Sequence, residues 1–133
     1  MAGRSGLIQI PLGQAFLRQH GVGAISRLTV LEMRSVLARR RRAREITPGL
    51  EGQVFSTFEN DIRAGFLLVH PLEDSHALAA VEIVARLKAH PLRSLDALQL
   101  AIARDLGATR LATADGVLAD AAAALGLEVV RFD

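Results

Sequence analysis

Three carboxylates, Glu32, Asp96 and Asp115, are each embedded in an otherwise apolar stretch of the sequence. Each lies near the start of a predicted helix, and the starts of helices that follow parallel strands lie at the same edge of a sheet. We therefore expect the three to converge. Carboxylates held together repel each other unless a cation joins them, and oxygen ligands without cysteine select Mg²⁺ or Mn²⁺. Such a cluster suits the activation of water for phosphoryl chemistry.

Each of these acids also has an ordinary structural explanation. Thr29 followed three residues later by Glu32 is the spacing of a capping box, and spacing alone favours that interpretation. Asp96 falls in the first turn of its helix, where the helix dipole favours an acid. Asp115 precedes Gly116 and could be a turn residue or an N-cap. The residues alone leave both interpretations open.

The elements that would position the acids alternate along the chain. Apolar runs bounded by Gly or Pro predict strands near 22–26, 66–70, 110–114 and 127–132. Helical spacing, caps and stop residues predict helices over about 29–45, 48–64, 75–90, 94–106 and 117–125. The last strand–helix–strand unit is typical of a parallel crossover. The chain is predicted to be an α/β domain with a parallel sheet flanked by helices.

Length and composition exclude several classes of protein. The 133 residues suit one domain, 1–133, in which 1–21 are atypical or truncated. Zinc-thiolate modules, disulfide scaffolds and thiol redox proteins all need cysteine, and the sequence has none. It also lacks a run of eighteen apolar residues, so we expect neither a membrane span nor export. The expected location is the cytoplasm.

Arginine is concentrated in one segment. The formal net charge is only +2, yet Arg34 to Arg44 contains six arginines and no acid, and the rest of the chain holds more acids than bases. One interpretation is the solvated end of a helix, where positive charge complements the carbonyl terminus. The other is contact with phosphates of a nucleic acid. The residues concerned are Arg39, Arg40, Arg41, Arg42 and Arg44.

A second polar group, His70, Glu73, Asp74 and His76, contains two imidazoles and two carboxylates within seven residues. It could bind a transition metal. The structural alternative is favoured, because a strand is predicted to end at His70 and Asp74 or Ser75 would cap the next helix.

The sequence resembles the PIN-domain ribonucleases and, among them, the VapC-like toxins of toxin–antitoxin pairs. The likeness is carried by residues 24–32 (AISRLTVLE), 90–101 (HPLRSLDALQLA) and 111–115 (LATAD) with the ending 126–130 (GLEVV). It implies a three-layer sandwich and a pocket that binds Mg²⁺ or Mn²⁺ and cleaves RNA endonucleolytically. Glu32, Asp96 and Asp115 would be its second, third and fourth acids, and Thr113 would orient a carboxylate or the water. An antitoxin partner is implied as well, and the apolar composition favours association with such a partner or with a second copy of the chain as a homodimer.

One departure from the family pattern concerns the first acid, which similar proteins place at the end of an N-terminal strand as Asp-x-Ser. No Asp or Glu precedes Glu32 here, and Gln9 is nearest the expected position. The N-terminal strand–helix unit is therefore expected to be shortened or absent. A neutral amide lacks the charge of a carboxylate, so metal affinity and cleavage should both suffer. The alternative is a catalytically degenerate PIN-fold protein that acts by binding a partner or by dimerising.

Overall fold

The structure, a computed structural model, describes residues 6–8 and 23–131, the first three by their backbone alone. Five strands and five helices are described. The strands are β1 (Gly6–Ile8), β2 (Gly23–Ser26), β3 (Leu67–His70), β4 (Arg110–Thr113) and β5 (Glu128–Arg131). The helices are α1 (Arg27–Arg42), α2 (Pro48–Arg63), α3 (Asp74–Arg86), α4 (Ser94–Asp105) and α5 (Gly116–Ala124).

All five strands form one parallel sheet in the order β3-β2-β1-β4-β5. The short β1 lies at its centre, where Leu7 pairs with Ala24 of β2 and with Leu111 of β4. Of the two expectations for the N-terminal strand, the structure supports a shortened strand and not an absent one. Residues 9–22, where the accompanying helix was in question, lie outside the described part of the chain.

Helices cover both faces of the sheet, which confirms the predicted α/β sandwich. On one face, α3, α4 and α5 form an apolar cluster centred on Leu100, Leu111 and Leu118, all fully buried. On the other face, α1 and α2 pack on Ile25 and Leu67. Among the described helices, none is both long and apolar enough to cross a membrane.

Helix boundaries follow capping chemistry, with four differences from expectation. The N-cap of α1 is Ser26 instead of Thr29, and that of α4 is Arg93 instead of Ser94. The N-cap of α3 is Glu73 instead of Asp74 or Ser75. Helix α3 also ends at Arg86, short of the predicted 90, where the C-cap residue Leu87 leaves the helical conformation with a φ of −91° and a ψ of 63°. The predicted cap of α2 at Thr47 is confirmed.

The turn between α1 and α2 closes on Arg44, which has a φ of 61°. The N–H of Arg44 bonds to the carbonyl of Arg41, and the N–H of Glu45 bonds to the carbonyl of Arg40. These two bonds form a Schellman motif, in which glycine is the usual residue at the left-handed position. An arginine there is strained because its Cβ crowds the backbone.

Arg44→Gly should therefore raise the free energy of unfolding by about 1 kcal/mol. The same substitution at Arg40, an exposed position inside α1, should lower it by about 1 kcal/mol because glycine disfavours helix interiors. Urea unfolding of both variants checks the prediction. Destabilisation by both would contradict it.

Candidate active site

The predicted acids are positioned by the carboxyl edge of the sheet. Glu32 lies one turn into α1, which follows β2, and Asp115 lies two residues after the end of β4. Strand β1 lies between β2 and β4. From β1 the chain continues to β2 and β3 on one side of the sheet, and β4 and β5 are added on the other side. Such a topological switch point is where open α/β sheets bind ligands. Gln9 follows Ile8, the last residue of β1, in the sequence and lies outside the described residues.

Glu32 does not form the capping box that its spacing favours. Ser26 is the N-cap, and its hydroxyl accepts a hydrogen bond from the N–H of Thr29 (3.1 Å). Thr29 is fully buried within the helix. The carboxylate of Glu32 instead accepts a hydrogen bond from the amide of Gln99 on α4 (2.8 Å). The capping interpretation was wrong because α1 begins one turn earlier than the sequence suggests.

Asp96 is buried, with 7 % of its surface exposed, at the N-terminal turn of α4. Its carboxylate accepts a hydrogen bond from the backbone N–H of Arg93, the N-cap residue. The structural role expected for an acid in a first helical turn is therefore present. That role uses one N–H donor only, so the carboxylate retains capacity for a further ligand.

Asp115 is the N-cap of α5, as one of its two interpretations predicted. Its Oδ1 accepts hydrogen bonds from the N–H groups of Val117 (2.9 Å) and Leu118 (3.4 Å), which leaves Oδ2 without a described protein partner. The buried hydroxyl of Thr113 accepts a hydrogen bond from the N–H of Asp115 (3.0 Å). Thr113 thus holds the backbone at Asp115 in place.

The three acids interact electrostatically, with Asp96 in the middle. Burial is the main cause that raises the pKa of Asp96, and the charge of Asp115 raises it further. The hydrogen bond from the N–H of Arg93 and the charge of its guanidinium act in the opposite direction and lower this pKa in part. Burial likewise raises the pKa of Glu32, opposed by the bond from Gln99 and reinforced by the charge of Asp96. Both carboxylates are therefore harder to ionise than usual, and a nearby cation would relieve this cost.

An oxygen-only donor set of this kind fits a hard divalent cation. The ligand oxygens of Glu32, Asp96 and Asp115 do not all lie within 4.8 Å of one another. One ion would therefore bind one or two of these carboxylates directly and complete its shell with water, which is how Mg²⁺ is commonly held.

Gln99 is the residue at this edge that the sequence analysis did not select. It is fully buried on α4, one turn after Asp96, and its amide contacts Ser26, Thr29 and Glu32. A single signal could have identified it: Gln99 is the polar residue in an otherwise apolar helical run after Asp96. A buried amide needs polar partners.

The arginine segment lies at the far end of α1, about 15 Å along the helix from Glu32. Arg39, Arg40, Arg42 and Arg44 are exposed. Arg41 is not free, because its Nε lies 2.6 Å from Oε1 of Glu51, a buried acid on α2. The structure therefore keeps this segment apart from the acids and uses one of its members to hold the α1–α2 hairpin.

The group around His76 is explained by local hydrogen bonds. Nδ1 of His76 accepts from the N–H of Glu73 (3.0 Å), so the ring proton is on Nε2, which lies 2.8 Å from Oδ2 of Asp105. Ligand atoms of Glu73, His76 and Asp105 lie within 4.8 Å of one another. A metal on either nitrogen would displace one of these hydrogen bonds, so the capping interpretation is favoured over the metal interpretation.

Comparisons with known proteins agree with this architecture. The family profile of the PIN domain matches residues 12–124. FitAB, solved bound to a DNA fragment named IR36, shares 21% identity and a TM-score of 0.66, over 95% of this chain and 94% of that chain. The toxin VapC20 of Mycobacterium tuberculosis, which cleaves the sarcin-ricin loop, shares 20% identity with this chain at a TM-score of 0.66. The match covers 96% of this chain and 100% of VapC20. No curated protein sequence matches the chain.

The raised pKa of Glu32 predicts how stability depends on pH. In the folded protein Glu32 keeps its proton to higher pH than the ordinary 4.5 of the unfolded chain. The stability it contributes is therefore complete below pH 4.5 and is lost as the pH rises through its raised value. Glu32→Gln keeps an acceptor for Gln99 and removes this loss.

In EDTA, the Glu32→Gln variant should thus have the same free energy of unfolding as the wild type below pH 4.5. It should have a higher free energy of unfolding than the wild type above the raised pKa of Glu32. Urea unfolding across a pH series measures the difference. Glu59→Gln, at an exposed position of α2, controls for the change in net charge. A Glu32→Gln difference that stays constant with pH would contradict the prediction.

Proposed function

This chain belongs to the PIN-domain family, and we propose that it is a metal-dependent endoribonuclease of the toxin type whose activity is weakened by the lack of the first acid. The observation that carries the proposal is the position of Glu32, Asp96 and Asp115 at the switch point of the sheet, where the charge of Asp96 acts on Glu32 and that of Asp115 acts on Asp96. Helix capping accounts for Asp96 and Asp115 separately, but it does not require Glu32 to lie close to Asp96. A cation-binding site does.

Glu32, Asp96 and Oδ2 of Asp115 are the candidate ligands, of which one or two would hold Mg²⁺ or Mn²⁺ directly and the others through water. A bound ion of this kind supplies activation of a water molecule and neutralises charge on the phosphate under attack. The protein fixes the ligands through N–H donors: Arg93 orients Asp96, and the first turn of α5 orients Asp115. Thr113 contributes by holding the backbone at Asp115.

RNA is the proposed substrate, and the exposed arginines are proposed to bind its phosphates. Arg39, Arg40, Arg42 and Arg44 present four cations at the tip of the α1–α2 hairpin. The distance of about 15 Å from Glu32 allows a single strand of a few nucleotides to reach both. Arg41 is engaged with Glu51, so we assign it mainly to the hairpin.

A protein partner is proposed by analogy with the two structural neighbours, of which VapC20 is a toxin. A largely apolar groove along α1 supports the analogy. Its lining includes Leu31, Phe55 and Leu72 together with Arg27 and Arg34, and Leu31 is 65% exposed. An antitoxin segment is the occupant we propose. The cytoplasmic location expected from the sequence stays a prediction.

The second candidate function is a degenerate PIN fold that acts only through partners or as a homodimer. Exposed apolar surface favours it: Leu78, Val81 and Val84 recur at three-residue spacing along the outer face of α3. Monomeric proteins seldom leave such a stripe uncovered. This candidate differs from the first in allowing no metal-dependent cleavage.

Cleavage of a single-stranded RNA in Mn²⁺ should be weak, abolished by EDTA and lost in Asp96→Asn. That substitution keeps the shape of a buried side chain while removing the charge between Glu32 and Asp115. Asp120→Asn, at an exposed position of α5, is the matched control. Cleavage that survives EDTA, or that persists in Asp96→Asn, would contradict the nuclease proposal. A complete absence of metal-dependent cleavage would favour the degenerate alternative.

Gln9→Asp should increase the cleavage rate, because it adds a carboxylate directly after the central strand β1. Recovering one metal ligand should give on the order of 10²-fold in rate. Initial rates of RNA cleavage in Mn²⁺ measure the gain. Gln14→Asp makes the same change of charge further along the chain and should not reproduce it. Equal rates for Gln9→Asp and the unaltered protein would show that Gln9 does not mark the place of the first acid.

A further inference from the structure

Gln99 closes a ring of buried hydrogen bonds with two hydroxyls. Its Oε1 lies 3.2 Å from the hydroxyl of Ser26, and its Nε2 lies 2.9 Å from the hydroxyl of Thr29. The two hydroxyls lie 3.2 Å apart. All three residues are fully buried, and no buried side-chain polar atom of the described residues lacks a partner.

The direction of every proton in this ring is determined by its members. The Ser26 hydroxyl donates to Oε1 of Gln99, since that oxygen can only accept. Ser26 has one proton, so the bond between the hydroxyls is donated by Thr29. The hydroxyl of Thr29 then accepts from Nε2 of Gln99. One hydrogen of the Gln99 amide remains, and it is donated to Oε1 of Glu32 (2.8 Å).

Reversing the Gln99 amide would disrupt this arrangement. Its oxygen would then face the ionised carboxylate of Glu32, so two acceptors would meet in a partly buried place. The ring therefore keeps the amide in one orientation, with a donor aimed at Glu32. Because Gln99 and Asp96 are three residues apart on α4, the same helix carries the donor and the neighbouring acid.

We propose that Gln99 is a positioning residue that fixes the Glu32 carboxylate for metal binding and ties it to the helix that carries Asp96. The inference rests on the proposed metal site and goes beyond it, because Gln99 would act without touching the ion or the RNA. Partners of this kind orient the ligands of metal sites, and their removal typically weakens metal affinity about 10- to 100-fold.

The test is the affinity of the protein for Mn²⁺ alone, measured from the EPR signal of the free ion. Gln99→Met keeps the approximate size and removes both donors, so the affinity should fall about 10-fold or more. Gln53→Met, the same change at an exposed position of α2, should leave it unchanged. In a Glu32→Gln background, Gln99→Met should change the affinity much less, because its effect passes through the Glu32 carboxylate.

A second pair of variants keeps the test valid if Gln99→Met folds poorly. Thr29→Val has nearly the same shape and removes the hydroxyl that accepts from the Gln99 amide, while leaving the bond from Gln99 to Glu32 available. It should weaken Mn²⁺ binding, and Thr29→Ser, which keeps the hydroxyl, should weaken it much less. Only a role for the ring in positioning predicts this order.

The outcomes separate this inference from the proposed function. If the unaltered protein and the Gln99→Met variant bind Mn²⁺ equally, the positioning role is overturned and the metal site stands. An equal loss in the wild-type and Glu32→Gln backgrounds would overturn it too, because the effect would then not pass through Glu32. If the unaltered protein binds no Mn²⁺, both proposals fail.

Discussion

Repulsion between like charges at one edge of the sheet is the constraint on which the rest of this site depends. Glu32, Asp96 and Asp115 cannot be separated, because the parallel topology brings the ends of β2 and β4 and the start of α4 to the same edge. Each carboxylate is held there by at least one N–H donor, from Gln99, Arg93 or the first turn of α5. Hydrogen bonds to charged groups are among the stronger ones, and they offset part of the repulsion without neutralising it.

Helix capping and ligand binding are compatible in this protein, because a carboxylate has two oxygens. Oδ1 of Asp115 accepts hydrogen bonds at the N-terminus of α5, and the carboxylate of Asp96 accepts a hydrogen bond from the N–H of Arg93, the N-cap residue of α4. The sequence analysis treated capping and metal binding as alternatives for each residue. The structure shows that a capping acid is already oriented, so the bond that stabilises the helix also limits the positions of the remaining oxygen.

The fold class and most elements could be predicted because they depend on local patterns, such as the cap at Thr47. The start of α1 could not, because Ser26, Thr29 and Glu32 repeat the same three-residue spacing and either pair satisfies a capping pattern. The strand β1 was uncertain for another reason. Three residues are too few for a period to show, and their place in the sheet is set by pairing with β2 and β4. The burial of Gln99 likewise follows from partners 70 and 73 residues away.

The shortness of β1 has a consequence for cooperativity. Among the described residues, the three of β1 join the β2–β3 part of the sheet to the β4–β5 part. Beside it, the bonds of Gln99 to Ser26 and Thr29 connect the same two parts through buried side chains. Partial unfolding that parted the sheet at β1 would therefore break this ring and carry Glu32 away from Asp96 and Asp115. The acidic site therefore stays intact only while the two parts of the sheet remain paired at β1. A cation bound by acids from both parts would stabilise that pairing, since it binds the folded arrangement and not the separated one.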